Sequence, residues 1–134
     1  MTERFKPAYF HAHFHAGLRG RKLPSRFAVV TAFNPRGKKS PPAANRRRDA
    51  ALRRRLRSLG IKCFRVTGGN EDGSHREPGW GLIVPSPIIA RGLAAEFRQD
   101  AYYWVSSGRI YLGSAAGGPL KRAGSWSARL ARWN

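Results

Sequence analysis

The chain is poor in acids, in sulfur and in long apolar runs. Only 7 of its 134 residues are Asp or Glu, against 26 Lys and Arg, which leaves a formal net charge of +19. Its one cysteine, Cys63, excludes an internal disulfide and a cysteine-built zinc site. No apolar stretch approaches the ~18 residues that a membrane span requires. The first residues, Met-Thr-Glu-Arg-Phe-Lys-Pro, contain no apolar core of a secretory signal. A cytoplasmic protein without a membrane partner is therefore expected. What is present suffices to fold. Hydrophobic residues make up 41% of the chain, with 4 Trp, 4 Tyr and 7 Phe dispersed along it. That composition argues against global disorder, and the length allows one domain.

The charge is uneven. Residues 1–26 carry +5, residues 27–60 carry +9, residues 61–100 are neutral and residues 101–134 carry +5. Glu71, Asp72 and Glu77 cluster in the neutral quarter. Arg outnumbers Lys, as a GC-rich coding sequence would give, so the total charge alone names no partner.

The pattern of apolar residues predicts the elements. Residues 7–15 alternate as a strand. Residues 26–33 are β-branched and aromatic, as in a central strand buried on both faces, and Asn34-Pro35 ends them. Residues 43–59 form an Arg-rich helix stopped by Gly60, with Ala51, Leu52, Leu56, Leu59 and Asn45 on one stripe. Residues 61–66 and 80–84 read as strands joined by a long loop, 67–79. Ser86 and Pro87 open a helix to residue 98. Residues 101–105 and 109–112 make a hairpin. This order predicts an α+β fold: a ferredoxin-like β-α-β-β-α-β core with an added N-terminal strand, a C-terminal hairpin strand and both helices on one face. The single domain is expected to span residues 1–112. Residues 113–134 read as a basic Gly/Ala-rich tail, in which Trp126, Leu130 and Trp133 suggest a short docking helix and a candidate surface for a protein partner.

Four features could carry chemistry. The loop 67–80 combines four glycines with Asp72, His75 and Glu77, so it offers an acid–base pair, two metal ligands or an anion nest. Thr31 and Asn34 fall at a strand end just before the helix bearing Asn45, where backbone amides gather ligands. A buried Asn45 must find hydrogen-bond partners, either in the 34–42 loop or on a ligand. His11, His13 and His15 alternate on one strand face, a spacing that can bind zinc, although chance accounts for it better. Finally, Arg36, Lys38, Lys39, Arg46, Arg47, Arg53, Arg54 and Arg57 form a basic loop and helix face suited to phosphate or nucleic acid.

Taken in order, TAFNP (31–35), Asn45 opening an Arg-rich helix, the Gly-rich step to Asp72-Gly73 and Glu77-Pro78, and FRQDA (97–101) resemble the bacterial family known as domain of unknown function 3293. The resemblance spans residues 9–112. It singles out Thr31, Asn34, Pro35, Asn45, Asp72, Gly73, Glu77, Pro78 and Gln99. His75 lies outside the pattern, and Gly79-Trp80-Gly81 stands where the family has a Ser-Phe-Leu-like step. The family name carries no activity and no cofactor.

Three expectations follow. The first is a protein that binds nucleic acid or another phosphate-bearing ligand. The second is a small hydrolase or transferase on a phosphorylated or nucleotide substrate. There Glu77 and Asp72 would be catalytic, with Thr31, Asn34, Asn45 and Gln99 binding the ligand and no metal assigned. The third is a protein–protein interaction module.

Overall fold

The computed structural model describes residues 5–133. A short 3-10 helix, Pro7–His11, leads into strands β1 (His13–Gly17) and β2 (Arg26–Thr31). Helix α1 (Pro42–Ser58), strands β3 (Cys63–Gly69) and β4 (Arg76–Leu82), and helix α2 (Pro87–Glu96) follow. Strands β5 (Ala101–Ser106), β6 (Arg109–Ser114) and β7 (Lys121–Ser125) complete the chain, with a last 3-10 turn at Ser127–Arg129. The seven strands form one sheet in the order β1-β3-β4-β2-β5-β6-β7, and every neighbouring pair is antiparallel. Two helical crossovers each skip one strand: β2-α1-β3 passes β4, and β4-α2-β5 passes β2.

Strand β2 lies between β4 and β5, which explains its unbroken apolar run. Ala28 and Val30 face the helices, where they pack with Leu52 and Leu56 of α1, Ala90, Leu93 and Ala94 of α2, and Leu82, Tyr102 and Trp104. Phe27 and Val29 face the other way, with Phe14, Phe64, Val66, Val105, Ile110, Leu112 and Trp126. Both helices thus cover the same face. Each large side chain so buried contributes roughly 1.5–3 kcal/mol.

The helix-free face is concave because the sheet curls. The segment beyond β7 reaches the opposite edge, where Leu130 bridges Phe14 in parallel and the Ala131 N–H donates to the Phe14 carbonyl at 2.8 Å. Trp126 stacks on Phe14 with ring centroids 5.3 Å apart and meets Phe27 edge-on.

Local signals hold at several ends. The Ser86 hydroxyl accepts from the Ile88 N–H at 3.2 Å and caps α2, which closes at Glu96. Helix α1 starts at proline, and its N-cap, Pro41, supplies no side-chain cap. The structure corrects four expectations. Residues 7–11 wind as a 3-10 helix, so His11 does not continue the strand that holds His13 and His15. Leu59 caps α1 and is exposed, off the buried stripe. The 67–79 loop contracts to residues 70–75, because Thr67–Gly69 pair with Arg76–Pro78 and extend both strands. Residues 121–125 form a strand that hydropathy does not announce.

Candidate functional site

Under the curl of the sheet lies a cavity of about 460 Å³. It opens where β2 ends at Thr31, beside the start of β4 and the end of β3. Phe14, Val29, Val66 and Tyr103 form apolar wall, while Asn34, His75, Glu77 and Arg129 supply polar groups.

Asn34 organises this wall. It adopts left-handed backbone geometry (φ 49°), which Asn tolerates better than most residues. Its N–H donates to Asn45 Oδ1 at 2.9 Å, and Asn45 Nδ2 returns a bond of 2.9 Å to Asn34 Oδ1. The Ser40 N–H also donates to Asn34 Oδ1, at 3.0 Å. With its oxygen committed twice, the Asn34 amide can present only Nδ2 to the cavity. That nitrogen donates to Glu77 Oε2 at 3.2 Å. The same carboxylate oxygen lies 3.0 Å from His75 Nε2.

Glu77 is three-quarters buried, whereas His75 is mostly exposed. If Nε2 carries the proton toward Glu77, His75 Nδ1 keeps a free lone pair. A carboxylate that orients an imidazole in this way is the elementary unit of acid–base catalysis. Tyr103 stands nearby, donating its hydroxyl to the Tyr9 carbonyl at 2.6 Å. Burial, then Tyr9 and the Glu77 charge, hold its phenol well above the ordinary tyrosine range.

The candidate residues divide by what they touch. Thr31, Asn34, Glu77 and Gln99 line the cavity. Thr31 donates to the Pro78 carbonyl at 2.8 Å. Gln99 is buried and spends Nε2 on the Phe33 and Phe97 carbonyls, so it anchors the chain leaving β2. Asn45, also buried, stands behind Asn34 and fastens the 34–40 loop. Asp72 stands outside the cavity lining. Exposed in the 70–75 turn, it accepts from the Ser74 N–H at 2.9 Å, and that bond holds its carboxyl below the ordinary value.

The basic residues occupy two regions. Arg36, Lys38 and Lys39 flank Gly37, which lines the cavity and against which the Lys6 ammonium lies. Arg46, Arg47, Arg54 and Arg57 are exposed on α1, across the sheet from the cavity; Arg53 is half-buried over Trp80. Tyr102 and Trp104 are buried in the core and offer no stacking surface. Among the described residues, no three His, Cys, Asp or Glu side chains are grouped to hold a metal. Likewise, no described helix is long and apolar enough to cross a membrane.

Arg129, Phe14 and Tyr9 join the cavity from distant parts of the chain. Local sequence carries no signal for that meeting. His75 and Glu77, two residues apart in one strand entry, were visible as a pair.

The family model described as protein of unknown function (DUF3293) matches residues 30–102, more than half of the chain. The chain belongs to that family. Its matched segment contains Asn34, Asn45, His75, Glu77 and Gln99. No curated protein and no solved structure matches the chain.

Proposed function

We propose that the protein binds a small phosphorylated or nucleotide-like molecule in the concave cavity and exchanges a proton with it through Glu77 and His75. One observation carries this reading: Glu77 Oε2 is held at once by Asn34 Nδ2 and His75 Nε2 on the wall of a cavity of about 460 Å³. Such a volume suits a small organic ligand, and an apolar cavity with few polar groups suits specific binding. Tyr9, Ala12 and Tyr103, which line the cavity and are only partly buried, would take the apolar body. Arg129 and the Lys6 ammonium at the mouth would attract the anionic end. Asn34 positions Glu77 and Asn45 positions Asn34, leaving the chemistry to Glu77 and His75. Hydrolysis or group transfer is the reaction class that a base of this kind serves. The order β3-β4-β2-β5 at the centre of the sheet is read as a ferredoxin-like core, with β1, β6 and β7 extending it into the curl.

The test is thermal stabilisation by a panel of nucleotides, nucleosides and phosphorylated small molecules. A ligand at a hundred times its Kd adds about 2.7 kcal/mol, a Tm rise of several degrees for a domain of this size. The expected result is a responder whose effect vanishes in a folded Glu77→Gln variant. A responder indifferent to that substitution, or none across the panel, would overturn the reading.

A further inference from the structure

A second depression, of about 440 Å³, lies at the opposite end of the strands. The β1–β2 connection contributes Leu18, Arg21, Lys22 and Pro24; the last turns of α1 contribute Arg53 and Arg57; Lys62 and Cys63 enter at the start of β3. Strand β3 runs from this depression to the cavity, which separates the two by about 20 Å.

Five cationic side chains line it, and no Asp or Glu does. Among the described residues the four ion pairs are Arg36–Asp100, Arg55–Glu96, Arg65–Asp49 and His75–Glu77. None engages Arg21, Lys22, Arg53, Arg57 or Lys62. The fold therefore gathers five cations without an internal carboxylate to neutralise them. They also outweigh the partial negative charge, about half an elementary charge, at the α1 C-terminus.

The row continues beyond the depression. Arg46, Arg53 and Arg57 stand at i, i+7 and i+11 on α1, so they share one narrow stripe. That stripe is about 16 Å long, whereas a duplex strand passes a phosphate every ~3.4 Å of axis. A single phosphate would leave most of the row unused. We propose that this groove and stripe bind the phosphodiester backbone of a nucleic-acid strand. Arg21, Lys22, Arg57 and Lys62 grip consecutive phosphates, and the exposed Ile83 lies beneath the strand. Recognition is of backbone charge, because the neighbouring aromatic Phe64 is buried.

The experiment is fluorescence anisotropy of short labelled RNA and DNA oligonucleotides across a salt series. Four phosphate contacts predict a log–log salt slope of about −3 to −3.6 and roughly a hundredfold weaker binding from ~50 to ~200 mM salt. The variant Arg21→Glu/Arg57→Glu/Lys62→Glu is expected to weaken binding at least ~tenfold. Arg109→Glu/Lys121→Glu/Arg122→Glu changes net charge equally at the far sheet edge and is expected to stay within about twofold. Circular dichroism checks that both fold, and Arg57→Gln/Lys62→Gln gives a milder substitute if the first does not. Cys63 supplies an independent reading: a saturating oligonucleotide should slow its alkylation. Equal losses in both triple variants, no binding at low salt, or an unprotected Cys63 would overturn the proposal. So would displacement of the strand by pyrophosphate at matched phosphate concentration, which would assign the groove to a small anion.

Discussion

Asn45 and Asn34 clasp each other through two reciprocal bonds of 2.9 Å, backbone N–H to side-chain oxygen and side-chain amide to side-chain oxygen. The pair couples the first turn of α1 to the end of β2 and fixes which atom of Asn34 meets Glu77. Asn45→Asp removes a donor and leaves two oxygens facing each other. Turning the Asn34 amide over gives no relief, because its oxygen would then face Glu77 Oε2 and its nitrogen the Ser40 N–H. The expected cost is about 1–3 kcal/mol, since buried polar groups lose partners. Urea unfolding measures it. An unchanged midpoint would show that the clasp does not hold the 34–40 loop.

Glu77 and Asp72 should separate cleanly in function. Glu77→Gln keeps the shape and the Asn34 contact but removes the charge facing the cavity. Ligand-induced stabilisation should disappear. Asp72→Asn should leave it intact, because Asp72 is exposed and occupied with the Ser74 N–H. In an NMR titration the Asp72 carboxyl should protonate below the ordinary aspartate pH, and largely so in Ser74→Ala, since the backbone N–H is the first cause of the shift. A loss of ligand response in Asp72→Asn would return that residue to the site.

High pH offers a further check. Burial raises the phenol of Tyr102, and burial with Tyr9 and Glu77 raises that of Tyr103. The unfolded chain therefore releases these protons first. Their contribution to stability is complete below about pH 10, the ordinary tyrosine value, and declines as pH rises through the folded values. Denaturant midpoints should fall above that pH, while tyrosinate absorbance lags the expected titration until the chain unfolds. Tyr103→Phe should shrink the pH dependence and cost about 0.5–1.5 kcal/mol for the bond to Tyr9. Identical profiles in the two proteins would contradict the burial account.

The glycines around Trp80 have a packing reason. A Cβ on Gly81 would meet the Phe64 ring at 2.5–2.8 Å, and one on Gly79 would meet the Val30 carbonyl at 2.7 Å. These two positions let β4 pass close to its neighbours. Gly81→Ala should destabilise by about 1–3 kcal/mol through overpacking. A melting temperature equal to that of the parent would mean that Phe64 can move aside freely.

The sequence made both helices and six of the seven strands legible, because their apolar periodicity is strong and prolines or glycines punctuate it. Asn45 could be placed on the buried stripe with Leu52, and its need for a partner pointed to the 34–42 loop. The rest depends on pairing. Thr67, Gly68 and Gly69 look like loop residues, yet register with Pro78, Glu77 and Arg76 makes them strand. Lys121–Ser125 has one inward apolar residue, Ala123, so only its neighbour β6 reveals it. The cavity arises from curl, a property of the whole sheet. No local pattern brings Arg129 or Phe14 to Glu77.

The seam between Phe14 and Ala131 also sets an order of events during synthesis. Strand β1 emerges early, but its outer edge, the one not paired with β3, cannot be covered until residues 126–131 have been added. At ~5–20 residues per second that wait is on the order of ten seconds. Through it Phe14, Phe27 and Phe64 remain wetted and open to chaperones and proteases. The sequence-distant closure also slows folding once the chain is free, because a long loop must shut before its contacts return any free energy. Any fusion or truncation that obstructs Trp126 would prolong that exposure indefinitely.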